Sequence, residues 1–172
     1  MAHDRIETAR LLLRRFTLAD VPALFQLGTI PELIRYTGNT PLASLDEARE
    51  NLIANPLRDY EVHGFGRLAC VWRETGQVIG FSGVKHLDEL DENELGYRLL
   101  PAWWGRGLAT EAGRAVIGHA RAVYQLQRLV SVIHPDNRAS KNVVRKLGFT
   151  FEKTVTLASD SFASMEMYSG AI

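Results

Sequence analysis

The sequence predicts a mixed α+β architecture: a central, mostly antiparallel sheet with helices on its faces. Three observations predict it. Strand-like runs at 65–73, 77–85 and 94–100 follow one another with only short connections between them. After them, helical and strand patterns alternate, as β-α-β units do. At the junction stand Gly105 and Gly107, where a strand pattern ends and a helical one begins.

Taken in order, residues 10–16 read as the first strand, with Leu11, Leu12 and Leu13 at its centre. Thr17 and Asp20 have capping-box spacing, and Val21, Leu24 and Phe25 then fall at helical intervals. Ser44 and Glu47 repeat the cap signal before a second helix striped by Leu45, Ala48, Leu52 and Ile53, which Pro56 is expected to end. The span 31–41 between them reads as loop or a short helix. Glu74, Thr75 and Gly76 make a hairpin connection between the next two strands, and an acidic stretch at 88–92 leads into the third. The long helix after Gly107 shows one apolar face through Leu108, Ala112, Ala115, Val116, His119, Ala120 and Val123. A strand at 127–133 and a helix entered through Asn137 follow; Ala139, Val143, Val144 and Leu147 line that helix, and Gly148 is placed to terminate it. Strands at 149–152 and 162–168 close the chain, giving about seven strands and about four helices.

Composition narrows the function classes. A chain of 172 residues with 46% hydrophobic side chains suits a single domain over 1–172 with a real core. Twenty basic residues balance twenty acidic ones, which gives no general attraction to nucleic acid or an anionic membrane. Cys70 is the sole cysteine, so no internal disulfide forms and a reducing compartment is expected. Met1, Ala2, His3, Asp4 and Arg5 lack a signal-peptide core, and no apolar run approaches ~20 residues, so the expected location is cytoplasmic. The histidines, His3, His63, His86, His119 and His134, show no metal-ligand spacing, and no metal is expected.

The glycine junction is the first chemical signal. Glycine admits sharp turns, and the first turn of a helix offers unpaired N–H groups at the positive end of its dipole. Together these seat an anion, typically a diphosphate. The loop lacks the lysine and Ser/Thr of a P-loop and the third glycine of a dinucleotide fingerprint. On its own it fits a tight turn without ligand equally well.

Its context resembles a known family. Glu94-Leu95-Gly96-Tyr97-Arg98-Leu99, then Trp104-Gly105-Arg106-Gly107-Leu108-Ala109-Thr110-Glu111-Ala112, then Asn137-Arg138-Ala139-Ser140-Lys141-Asn142, then Lys146-Leu147-Gly148-Phe149 are similar, in order and spacing, to the GNAT acyltransferase superfamily. The branch they most resemble is the RimJ/RimL-like N-acetyltransferases. The resemblance implies a GNAT-type sheet whose parallel strand pair splays to hold acyl-CoA. It implies that the backbone of Gly105, Arg106, Gly107, Leu108, Ala109 and Thr110 grips the coenzyme pyrophosphate. Trp104 replaces the Gln/Arg of the superfamily pattern and removes one polar side chain. Leu99 and Leu100 are implied to pair with the pantetheine arm, Asn137 and Asn142 to contact the coenzyme, and Ser140 to protonate the departing thiolate.

Transfer of an acetyl group to an amine requires a neutral amine, a polarised carbonyl and a leaving thiolate. An alkylammonium titrates near ~10, so a base is useful at neutral pH. Glu94, at the start of the thioester strand, is the candidate base. Some relatives place a carboxylate after the Gly-Phe strand instead; here 154–159 carries none, with Glu152 before it and Asp160 after it. Asp88, Glu89, Asp91 and Glu92 are either a field for cationic amines or a solvated hairpin tip. Trp72, Trp103 and Trp104 are candidates for an acceptor channel or for packing. Arg106, Arg138, Lys141 and Lys146 are candidates for phosphate contacts or solvated helix ends. The implied partners are acetyl-CoA as co-substrate and an amine acceptor, either a peptide N-terminus or a small molecule, in a monomer or homodimer. The alternative is a non-catalytic acyl-CoA sensor on the same fold.

Overall fold

The computed structural model describes residues 4–158 and 164–172. Eight strands form one open sheet: β1 (Arg5–Glu7), β2 (Leu11–Arg14), β3 (Arg67–Trp72), β4 (Val78–Leu87), β5 (Glu92–Leu99), β6 (Arg128–Ile133), β7 (Thr150–Val155) and β8 (Met165–Ala171). Their spatial order is β1-β2-β3-β4-β5-β6-β8-β7. Every neighbouring pair is antiparallel except β5 and β6. The sheet has one strand more than the sequence indicates, because β1 is three residues long and mostly exposed and carries no periodic signal. The expected start of the last strand at Phe162 lies outside the described residues, as do His3 and Asp160.

Helices α1 (Val21–Thr29), α2 (Pro31–Ile34), α3 (Leu45–Leu52) and α4 (Arg58–Val62) precede β3; α5 (Leu108–Ala122) and α6 (Arg138–Lys146) follow β5 and β6. The Thr17–Asp20 capping box forms, with the Thr17 N–H donating to Asp20 Oδ2 at 2.8 Å, and Arg14 braces the same carboxylate. Ser44 caps α3 by accepting from the Glu47 N–H at 3.1 Å. Pro56 does not end this helix. The chain widens into a π-helical turn over Ile53–Leu57 and resumes as α4. A wider turn accommodates the proline ring and its missing N–H. The turn also holds Asn55, which accepts from Lys85 Nζ on β4 at 3.2 Å.

Strand alternation sorts β5 onto two faces. Leu95 and Leu99 join Leu11, Leu68, Leu108, Val116 and Val144 in a core under α5 and α6. Phe81, which pairs with Arg98 across β4 and β5, packs with Phe16, Leu27, Leu33 and Leu52 under α1 and α3. Cys70 is fully buried, and burial pushes its thiol well above the usual range, so it is a packed and unreactive side chain. Among the described residues, no helix is long and apolar enough to cross a membrane, and no group of three His, Cys, Asp or Glu side chains is placed to hold a metal.

Candidate active site

The parallel strands β5 and β6 meet at a single register pair, Glu94 and Val130. Two side chains reinforce that seam. The Ser131 hydroxyl donates to the Leu95 carbonyl at 2.7 Å, and the Val132 N–H donates to Glu94 Oε1 at 3.3 Å. Beyond the seam the strands diverge into a fork. The phenol of Tyr97 on β5 reaches α6, where it donates to the Ser140 carbonyl at 3.0 Å and lies 2.9 Å from Ser140 Oγ. Burial raises the Tyr97 phenol above its ordinary range, which keeps it protonated and able to donate.

The fork therefore has chemistry on both faces. Tyr97 and Ser140 lie on the α5/α6 side. Glu94 lies on the α1–α4 side, only 8% exposed and ion-paired with Arg67 Nη2 at 3.0 Å. A carboxylate on one side and a hydroxyl on the other can take a proton from one group in the gap and deliver one to another. Asn137 serves as the N-cap of α6, its Oδ1 accepting from the Ser140 N–H at 3.1 Å, which fixes Ser140 in the first turn. Asn142 is exposed on the same helix.

At the other end of β5, Gly105 and Gly107 adopt left-handed φ values of 72° and 75°. Gly107 is the N-cap of α5, and its carbonyl accepts the first helical bond, from Glu111 at 3.0 Å. The N–H groups of Leu108, Ala109 and Thr110 consequently have no helical acceptor and face the loop end. The Leu108 side chain is buried, so only its backbone is offered. Arg106 stacks over Trp103 at 4.9 Å from the ring centre. A groove of about 620 Å³ runs beside the helix start, lined by Arg10, Thr110, Arg114 and Lys146 among others. Lys141 is not available to phosphates in the same way: its ammonium donates to the Pro135 carbonyl at 2.5 Å and pairs with Glu166 at 3.3 Å.

The Leu100 N–H donates to the Ile79 carbonyl at 2.8 Å and its carbonyl accepts from the Trp103 N–H at 2.9 Å, so the strand-like bonds of Leu100 are made within the fold. The Leu99 carbonyl accepts from the Trp104 indole N–H at 2.7 Å. The tryptophans have packing partners: the Trp72 and Trp103 rings meet at a tilt with centroids 4.7 Å apart, and the Trp104 indole N–H donates to the Leu99 carbonyl. The acidic run is a hairpin tip whose carboxylates are largely matched. Asp88 and Asp91 flank His86, Glu92 is bridged by Arg128, and Glu89 accepts from the Ala158 N–H. Tyr97 and Arg67 were not singled out in the sequence. The available signals were a hydroxyl in the Leu95–Leu99 stripe and an arginine opening an otherwise apolar strand.

The residues at 10–150 match the model of the acetyltransferase (GNAT) domain. The chain belongs to the GNAT acetyltransferase family. An uncharacterized N-acetyltransferase from Bacillus licheniformis is 30% identical over 151 residues, covering 87% of this chain and 84% of its own length. The crystal structure of an acetyltransferase from Agrobacterium tumefaciens is 31% identical, with a TM-score of 0.81 over 96% of this chain and 93% of that one. RimL, a ribosomal L7/L12 alpha-N-protein acetyltransferase solved with coenzyme A, shares the fold at a TM-score of 0.81 and 22% identity, over 98% of each chain.

As a GNAT acetyltransferase, the protein is an acetyl-CoA-dependent acyltransferase. The residues present fit that co-substrate. Left-handed glycines and three unpaired amides suit a diphosphate, and a fork between β5 and β6 suits an extended arm. A prediction follows for Gly107. No atom lies closer than 3.9 Å to a Cβ placed there, so the penalty of a side chain is conformational rather than steric. A valine in this left-handed position costs about 1–2 kcal/mol of strain or rotates the amides away. Gly107→Val is expected to weaken acetyl-CoA binding at least ten-fold in calorimetric titration while far-UV circular dichroism stays native. Unchanged affinity would remove this loop from the coenzyme site.

Proposed function

We propose that the protein transfers the acetyl group of acetyl-CoA directly to a primary amine, bound together with the donor. The observation that carries this reading is the fork. A carboxylate, Glu94, stands on one face and a hydroxyl, Ser140, on the other, at the one place where the sheet opens.

Each residue then has a task. Glu94, directly or through a water, takes the proton of the incoming ammonium from the α1–α4 side. The neutral amine attacks the thioester carbon, and unpaired strand amides at the fork stabilise the oxyanion. Ser140 delivers a proton to the departing sulfur, and Tyr97 holds its hydroxyl at 2.9 Å in position for this. Residues 105–110 hold the diphosphate, and Asn137 and Asn142 lie at the start of and on the helix that faces the arm. The acceptor is a protein N-terminus or a small-molecule amine; RimL, which acts on a protein α-amine, supports the first class.

The test is release of free thiol from acetyl-CoA against a panel of N-terminal peptides, polyamines, aminoglycosides and free amino acids, with product mass confirming the acetylated nitrogen. Turnover on at least one amine class is expected. Tight coenzyme binding without thiol release for any amine would identify a sensor rather than an enzyme.

A further inference from the structure

The α1–α4 face beside Glu94 carries more positive charge than its own carboxylates match. Arg67 on β3 crosses above Gly96, where a Cβ would lie 2.9 Å from Arg67 Nη2; glycine at this position leaves room for the guanidinium. Arg67 spends Nη2 on Glu94, while its Nε is buried without a hydrogen-bond partner. Two residues along β5 from Gly96, Arg98 shares the same aromatic anchor as Arg67: the guanidinium carbons of Arg67 and Arg98 are 5.1 and 5.4 Å from the Phe81 ring centre. Among the described residues, Arg98 has no hydrogen-bond acceptor and no ion-pair partner. Burial, and secondarily the like charge of Arg67, lower its guanidinium to about 10. Farther out, Lys85 donates to Asn55 and lies in the field of Asp59.

A half-buried arginine without a protein acceptor has guanidinium N–H donors left to bind water or an incoming acceptor. Its flat guanidinium, held on an aromatic ring, presents a fork suited to a two-oxygen anion. Glu94 is already committed to Arg67 and to the Val132 N–H. We infer that Arg98, with the unpaired edge of Arg67, binds an anionic group, a carboxylate or phosphate, on the acceptor whose amine is presented to Glu94. This inference rests on the acetyl-transfer reading above and names its acceptor class: an amine with an acid a short distance away, as in an amino acid or an acidic N-terminal peptide. A simple polyamine lacks the group that Arg98 requires.

The experiment compares matched acceptors: free amino acids against their carboxamides, and phosphoethanolamine against ethanolamine, followed by thiol release. The acids are expected to exceed their neutral partners by roughly 10- to 100-fold in kcat/KM, mostly through KM, as one charge-assisted bond would give. The phosphate pair distinguishes the two anion sources. Arg98→Gln is expected to collapse the acid-to-amide ratio towards one, and Arg98→Lys to restore part of it. Equal rates for acids and amides, with acetyl transfer intact, would overturn the inference and leave the proposed function standing. A fall in acetyl-CoA affinity in Arg98→Gln with the ratio unchanged would place Arg98 on the coenzyme and overturn it as well. If no amine turns over, calorimetric binding of N-acetylamino acids and their amides to the coenzyme-A-loaded protein still decides it: a preference for the acid that Arg98→Gln abolishes supports the subsite, and equal binding refutes it.

Discussion

Glu94→Gln is expected to lower turnover by about 10²–10⁴-fold, the range associated with losing a general base. The substitution keeps the side chain's shape, and its amide oxygen can still accept from the Val132 N–H that closes the β5–β6 seam, although its NH2 group then stands where an oxygen accepted from Arg67. Glu94→Ala would be a poorer probe. It deletes the seam bond as well as the Arg67 ion pair, so lost activity would mix catalysis with a loosened seam and an unpaired charge on a half-buried face. The expected signature in the glutamine variant is a lower kcat with a nearly unchanged KM for acetyl-CoA. A wild-type rate would show that water alone carries the proton and would retire Glu94 as the base.

The second large effect is expected at Ser140. Ser140→Ala should reduce kcat by roughly 10- to 100-fold, each factor of ten corresponding to about 1.4 kcal/mol of barrier, while acetyl-CoA affinity changes little. The fold should tolerate the change. The helix cap uses the Ser140 N–H, and Tyr97 keeps the Ser140 carbonyl as an acceptor. Ser140→Thr retains a hydroxyl and should recover part of the loss. Tyr97→Phe separates positioning from proton delivery: it frees the Ser140 hydroxyl without removing it, so its effect should be smaller than that of Ser140→Ala. If alanine at 140 turns over at the wild-type rate, the thiolate is protonated by solvent.

Much of the architecture was legible because it is written in local pattern. The helix after Gly107, the caps at Thr17 and Ser44, and the hairpins of β3 to β5 all follow from spacing that neighbouring residues share. The features that were not legible depend on tertiary partners. Tyr97 meets Ser140 across 43 residues, and Arg67 meets Glu94 across 27, so neither contact leaves a trace in periodicity. Pro56 misled for a different reason. A proline forbids an ordinary helical bond but not a widened turn, and the choice between breaking and bulging is made by what the helix packs on. The acidic run is the solvated hairpin tip that charge patterning allowed, and its neighbours Arg128 and His86 come from outside the run, so charge counting alone could not supply them.

The hydrogen bond from the Trp104 indole to Leu99 has a consequence for how the donor substrate is captured. Leu99 ends β5, and its carbonyl already accepts from the indole. An arm that pairs with this carbonyl must first displace the indole, so its capture would be an exchange of partners. The gain from this one oxygen would then largely cancel, and net affinity for such an arm would have to come from contacts that the indole does not already make.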